Sequence, residues 1–221
     1  MQNTATQRPD DPNALYGEVW AQGEDLRHRL ARRLHDDVCG QLIGSLMDLT
    51  LIRNSLPPQS AELSAKLQRS TDVLGLAVKA NRELVEQLRP SLLDNVGLFA
   101  ALKWHAVETC RLAGVTCHTR LPLDEPNYTT EVSLHLFRLA EEALLMMMQQ
   151  SVHRIELYAT EGAPMNLTLT ALGGTPPAND DAVNTSRLAL MKIRAALAGA
   201  TLEVSQPAGG GVAVTILARP A

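Results

Sequence analysis

The sequence predicts an α+β protein, in which an antiparallel helical hairpin is followed by a domain of helices packed on a mixed sheet. Two apolar stripes with seven-residue spacing occupy the first ninety residues, and short strand-like runs alternate with helical ones after residue 113. Only 3% of the 221 residues are aromatic. Leu, Ala, Val and Met must therefore fill the core, which is typical of a helix-rich chain.

The hairpin is predicted over residues 14–90, after a mobile tail of residues 1–13 that lacks apolar periodicity. Pro57 and Pro58 separate its two helices, and Pro90 ends the second one. The first stripe consists of Leu34, Val38, Leu42, Ser45, Leu49, Ile52 and Leu56. The second consists of Leu63, Leu67, Ser70, Leu74, Ala77, Asn81, Leu84 and Leu88. One hairpin has too little surface to bury alone, so we expect a homodimer in which two hairpins form a four-helix bundle.

The remaining chain is predicted to form a connector with a short helix over residues 91–113 and an α/β domain over residues 114–221. Strands are predicted at 115–121, 155–159, 167–171, 201–205 and 212–217, and helices at 132–150 and 187–197. The last two strands are predicted to pair as a hairpin that turns at the glycines of residues 209–211.

Composition excludes several classes of function. Lys and Arg number 20 against 24 Asp and Glu, a net charge of −4 that does not favour nucleic acid as a partner. The sequence has no run of ~18 apolar residues and no secretory signal, so we expect a cytoplasmic protein without a membrane partner. Cys39, Cys110 and Cys117 fit neither a zinc site nor a disulfide framework, and no metal site is predicted.

The run RHRLARRLHDDVCGQL contains the residues most suited to chemistry. His35 follows the stripe residue Leu34 and is therefore turned about 100° toward water. Asp36 can orient the imidazole or exchange a proton with it, while Arg32 and Arg33 can meet a phosphate. A neutral imidazole is a competent nucleophile toward a phosphoryl group. A plain solvated helix flank remains an alternative interpretation of the same residues.

The stretch LARRLHDDVCGQLIGSLMDL resembles the dimerisation and phosphoacceptor helix of histidine kinases of the nitrate-sensor and DesK-like class. LVEQLRPSLLDNVGLFAAL is similar to the end of the second helix and the connector of that family. The resemblance implies that His35 is phosphorylated and that Asp36 is its acid/base neighbour. Members that also dephosphorylate their partner carry Gln five positions after the histidine, where this chain has Gly40. Gln41 is one residue late, about 100° away on an ideal helix, so phosphatase activity stays open.

LHLFRLAEEALLMMM resembles the first helix of the family's ATP-binding domain. Glu142 and Gly173 match residues of the nucleotide pocket, whereas five other positions have lost the family's residue. The Asn position is Met146, the adenine-binding Asp position is Ala171, and three glycine positions are Thr185, Arg187 and Leu190. The resemblance therefore implies a degenerate ATPase-like domain with no nucleotide cofactor.

By this resemblance the chain is a two-component phosphotransfer protein that carries a phosphoryl group on His35 between aspartates of receiver domains. Response regulator receivers are the expected partners, with a hybrid or separate histidine kinase as a further partner, and Mg²⁺ would come with the receiver. Two alternatives remain. One is an ATP-dependent sensor histidine kinase with a divergent pocket. The other is a pseudokinase that regulates a kinase without being phosphorylated.

Overall fold

The computed structural model describes residues 12–57, 60–162, 164–173, 182–207 and 210–219. The chain divides into two compact units. The helical unit is Glu18–Pro90, and the α/β unit contains Ser91–Ala221 together with the chain up to Gly17. The predicted tail of residues 1–13 lies almost wholly outside the described residues.

The helical unit consists of α1 (Pro12–Arg33), a π-helical turn (Leu34–Cys39), α2 (Gly40–Asn54) and α3 (Ala61–Leu88). The first residues of α1 belong to the α/β unit. α2 packs along α3, as the two apolar stripes predicted. The π-helical turn was not predicted, since a continuous α-helix was expected through His35. Such turns carry one more residue per turn than the α-helix, because their hydrogen bonds run from i to i+5.

Three residues of each predicted stripe are exposed in the structure. Leu42, Leu49 and Leu56 lie on the partly buried side of the first helix, as predicted, but Val38, Ser45 and Ile52 are exposed. The residues in their place are Cys39, Leu46 and Arg53, each one position later. On α3 the buried and partly buried residues are Ser64, Leu67, Thr71, Leu74, Ala77, Val78, Asn81, Val85, Glu86 and Leu88. Leu63 and Leu84 of the predicted stripe are exposed.

The α/β unit contains α4 (Ser91–Asn95), α5 (Leu98–Ala113), α6 (Thr130–Met148) and α7 (Ala182–Leu197). Its strands are β1 (Thr116–Arg120), β2 (Arg154–Ala159), β3 (Met165–Leu172), β4 (Ala200–Ser205) and β5 (Val212–Ala218). They form one sheet in the order β1-β2-β3-β5-β4, with β1 parallel to β2 and the other pairs antiparallel. All five predicted strands are found, including the closing β4–β5 hairpin. α7 begins five residues earlier than predicted, at Ala182.

The core of the α/β unit lies between the sheet and the helices. One side of β2 and β3 is buried at alternate residues, as expected for a sheet covered on one face. α5 contributes six buried residues: Leu98, Phe99, Ala101, Leu102, Ala106 and Cys110. Residues 91–113 are therefore part of this core and not a separate connector as predicted. Apolar residues at i, i+3, i+4 and i+8 of α5 give it a face that must be covered.

Candidate functional site

His35 lies in the π-helical turn with its side chain 71% exposed. Its Nδ1 atom is 3.0 Å from Oδ1 of Asp36, whose side chain is 60% exposed. When Nδ1–H donates to this carboxylate, the lone pair of the neutral ring resides on Nε2. The pair thus has the arrangement of an oriented nucleophile, with the reactive nitrogen on an accessible side chain.

The two arginines before His35 contact other residues. Nη2 of Arg32 lies 2.9 Å from Nε2 of His28, one turn earlier on α1. Nε of Arg33 lies 3.8 Å from Oδ2 of Asp37, within the π-helical turn. Both arginine side chains are exposed on the turn that precedes His35. Neither contacts His35, so a role for them in phosphate or partner contact stays a prediction.

The π-helical turn changes the position of Gln41 relative to His35. Gln41 is the sixth residue after His35, and the expectation that it points about 100° away assumed an ideal α-helix. The turn that ends at Cys39 departs from α-helical geometry, so the angle of an ideal helix does not describe the direction of Gln41 from His35, and its role stays a prediction. Its side chain is exposed, as is Gly40.

In the α/β unit, Glu142 is the glutamate that matches the family's pocket. Its carboxylate forms an ion pair with an arginine. Oε1 of Glu142, on α6, lies 2.9 Å from Nε of Arg187, on α7. Arg187 also donates from Nη1 to Oε1 of Gln149, 3.0 Å away. Arg187 stands at one of the predicted glycine positions. Its guanidinium neutralises the one retained carboxylate that a magnesium–nucleotide complex would use.

A cavity of about 510 Å³ lies beside this ion pair. It is lined by Tyr16, Glu142, Ser186, Arg187, Leu190, Met191 and Arg194. Two of the altered positions, Met146 and Ala171, are buried in the core at 2% and 0% exposure, and neither lines the cavity. Thr185 is exposed and lies outside the lining. The structure thus brings together Glu142, Arg187 and Leu190 and separates them from the other altered positions.

Gly173, the retained glycine, has a φ of +83° at the end of β3. A Cβ atom there would lie 2.3 Å from Nδ1 of His153, so this glycine is needed for packing as well as for its backbone conformation. Across the parts of the chain that the structure covers, no three His, Cys, Asp or Glu side chains form a group that could hold a metal ion. None of the described helices is long and apolar enough to cross a membrane.

The three cysteines are free thiols. Burial raises the pKa of Cys110 to about 12, with a further contribution from the neighbouring Cys117. Burial also raises the pKa of the Cys117 thiol. Thiols held in the protonated form are poor nucleophiles.

Three residues at the two candidate sites were not predicted from the sequence. Asn81 was assigned to the apolar stripe, but its side chain donates to the backbone of the π-helical turn. A polar residue in an apolar seam was the available signal. Gln149 and Tyr16, the other two, carry no pattern in the sequence that would place them beside Glu142.

Both units of the chain resemble parts of known proteins. Residues 27–93 match the HisKA_3 family model, described as "Histidine kinase". The α/β unit has the fold that the resemblance predicted, since a histidine kinase domain from the Erythrobacter litoralis EL346 blue-light activated histidine kinase aligns with a TM-score of 0.50. That alignment covers 88% of this chain and 94% of that chain at 16% identity, and therefore concerns the fold alone. Residues 27–93 thus match a histidine kinase family model, and the α/β unit has the fold of histidine kinase domains.

Two curated sensor proteins are similar to this chain in sequence. The sensor histidine kinase MctS of Rhizobium johnstonii is 30% identical over 134 residues, which are 59% of this chain and 28% of MctS. The nitrate/nitrite sensor protein NarQ of Escherichia coli is 28% identical over 209 residues, 88% of this chain and 35% of NarQ. The chain spans about a third of the length of these relatives.

Proposed function

We propose that this protein accepts a phosphoryl group on His35 from the phospho-aspartate of one receiver domain and passes it to another, without using ATP. The observation that carries this proposal is the contrast between two sites. The His35–Asp36 pair is exposed and oriented, at 3.0 Å, whereas the retained pocket residue Glu142 is held by Arg187 at 2.9 Å. The first pair suits phosphoryl transfer, whereas the carboxylate of Glu142 is paired with an arginine instead of being available to Mg²⁺.

Phosphoryl transfer requires no reactant other than the phosphorylated receiver and His35. The Nε2 lone pair of His35 attacks phosphorus in line, the P–O bond to the receiver aspartate breaks, and that aspartate leaves as a carboxylate. The ring keeps its Nδ1 proton, and the carboxylate of Asp36 stabilises the positive charge that develops on the imidazole. The receiver domain would supply Mg²⁺. The reverse step returns the phosphoryl group to a second receiver.

A second candidate is an ATP-dependent histidine kinase with a divergent pocket. The relatives favour it, because MctS is a sensor histidine kinase and NreB of Staphylococcus carnosus is an oxygen sensor histidine kinase. A cavity of about 510 Å³ also lies within the ~300–1,000 Å³ usual for ligand sites. A pseudokinase that binds a kinase without being phosphorylated is the third candidate, and for that role His35 would be dispensable.

Calorimetric titration with Mg·ATP separates the first two candidates, because it needs no knowledge of the partner. We expect no heat of binding at millimolar nucleotide. Micromolar binding, followed by transfer of label from ATP to His35, would instead establish the kinase. The variant Arg187→Gly, which frees Glu142, shows whether the arginine alone blocks the pocket.

Mixing with phosphorylated receiver domains separates phosphotransfer from the pseudokinase role. A panel of receivers is labelled with acetyl phosphate and incubated with wild type, His35→Ala and the control variant His118→Ala, which alters a histidine of β1. Label should move to wild type and to the control but not to His35→Ala. Absence of label on wild type with every receiver, while a kinase is still bound and inhibited, would favour the pseudokinase.

A further inference from the structure

Asn81 is a buried polar side chain on α3, in the middle of an otherwise mainly apolar seam. It is 6% exposed, and its Nδ2 atom donates to the backbone carbonyl of Leu34 at 3.0 Å. Leu34 is the first residue of the π-helical turn and directly precedes His35. A buried amide is costly unless it is hydrogen-bonded, so this contact links one point of α3 to one point of the turn.

The π-helical turn needs support of this kind. Its hydrogen bonds run from i to i+5 instead of i to i+4, and it occurs mostly as single turns within α-helices, often at functional sites. A backbone carbonyl has two lone pairs, so the carbonyl of Leu34 can accept from a side chain in addition to its helical partner. Asn81 therefore stabilises the carbonyl at the place where the helix changes its hydrogen-bonding pattern.

The same turn brings His35 and Asp36 together. Adjacent side chains on an α-helix are about 100° apart and do not face each other. A turn with more residues has a smaller angle between neighbours, and here Nδ1 of His35 lies 3.0 Å from Oδ1 of Asp36. The hydrogen bond that orients the imidazole thus lies inside the segment that Asn81 holds.

We propose that Asn81 is a positioning residue for the phosphoacceptor: by holding the carbonyl of Leu34 it keeps the π-helical turn, and the turn keeps the His35–Asp36 pair aligned. Its consequence for phosphotransfer rests on the function proposed above. The alignment itself is a property of the helical unit and is measured without any receiver.

Six proteins test the proposal: wild type, Asn81→Leu, a variant that lacks Asp37, the combination of these two changes, Asn81→Gln and Val78→Ala. Removing Asp37, an exposed residue, takes one residue out of the turn and allows a continuous α-helix. Asn81→Leu keeps the side-chain volume but removes the donor. Asn81→Gln keeps an amide donor, and Val78→Ala is the matched control, since Val78 is a buried apolar residue one turn earlier on α3.

Each protein is measured by ¹⁵N NMR of the imidazole of His35, by urea unfolding, and by the rate of label acceptance at saturating receiver. We expect wild type to show the Nδ1–H tautomer and Asn81→Leu to show a mixture of the two tautomers. Its rate at saturation should fall by about tenfold or more, with the receiver's apparent affinity unchanged, as misplaced reacting groups commonly cause. Asn81→Gln should recover part of the rate, and Val78→Ala should lose stability without changing the tautomer.

Unfolding gives the sharpest outcome. Asn81→Leu should destabilise wild type more than it destabilises the protein without Asp37, because the π-helical turn that the amide supports is absent from the latter. Equal destabilisation in both backgrounds, or an unchanged His35 tautomer in Asn81→Leu, would overturn the proposal. If wild type accepts no label from any receiver, the proposed function fails, and the NMR and unfolding measurements still decide the role of Asn81.

Discussion

At the scale of the residue, the contribution of the Asp36 carboxylate to phosphoryl transfer can be measured by comparing it with the neighbouring Asp37. Asp36 accepts from Nδ1 at 3.0 Å, whereas Asp37 has only a loose contact with Arg33 at 3.8 Å. Asp36→Asn should lower the rate of phosphoryl acceptance by about 10²-fold or more, because the amide neither fixes the tautomer nor stabilises the imidazolium. Asp37→Asn should leave the rate nearly unchanged. Labelled receivers measure the rates of both variants. Equal losses of rate would show that general surface charge matters and that orientation of the imidazole does not.

Gln41 is the second residue whose role depends on the π-helical turn. If the turn places its amide where the fifth residue of a continuous helix would lie, the protein should accelerate hydrolysis of the phosphorylated receiver. Gln41→Ala should then reduce that hydrolysis several-fold and leave acceptance by His35 intact. Gln68→Ala, on α3, is the control. If wild type does not accelerate hydrolysis of the phosphorylated receiver above its spontaneous rate, the Gln41 amide does not occupy the position of the fifth residue.

At the scale of the element, the contact of α5 with α6 contains a histidine that burial keeps neutral. Burial lowers the pKa of His105, while Glu141 raises it and Arg138 lowers it further. The ring contacts Phe137 edge to face, with centroids 5.4 Å apart. Because its pKa is below 6.5 in the folded state, the unfolded chain binds this proton first. Stability is therefore present above about pH 6.5 and is lost as the pH falls toward the lowered pKa.

The variant His105→Leu measures this contribution. Its free energy of unfolding should decrease less than that of wild type between pH 7 and pH 5, since an apolar side chain in the same place has no proton to gain. His118→Gln, on β1, is the control and should follow wild type. Urea unfolding of the α/β unit at several pH values gives the comparison. Parallel curves for wild type and His105→Leu would mean that protonation of His105 is not linked to unfolding.

The elements also show how far sequence reasoning reached. The strands β1 to β5 and the helical hairpin followed from periodicity, because burial of one face imposes a spacing that the sequence must carry. The π-helical turn did not, since steps of three and four residues allow either of two neighbours, such as Val38 or Cys39, to continue a stripe. The family's motifs indicated His35, Asp36 and Glu142, but the partners Asn81 and Arg187 required tertiary contacts between helices distant in the sequence.

At the scale of the whole molecule, the helical unit has an apolar surface that one chain leaves uncovered. α2 has no buried residue among its 15. Met47 and Leu51, one turn apart on it, are 62% and 63% exposed. Further exposed apolar residues of the unit are Val38, Ile52, Leu63, Val73, Leu76 and Leu84. Monomeric proteins rarely expose contiguous apolar patches of this kind, so they mark an association surface. We expect a second copy of the hairpin to cover this surface, since two hairpins would complete a four-helix bundle.

This dimer predicts a mass of twice 24.0 kDa in light scattering. Leu51→Glu should give a monomer, because a carboxylate on this apolar face would be buried in the dimer without a partner. Thr116→Glu adds the same charge on an exposed residue of β1 and should remain dimeric. Circular dichroism shows whether Leu51→Glu is still helical, which separates dissociation from unfolding. A wild-type protein that stays monomeric at tens of micromolar would leave the apolar face of α2 to a different partner, because a stable α-helix does not expose such a face to water.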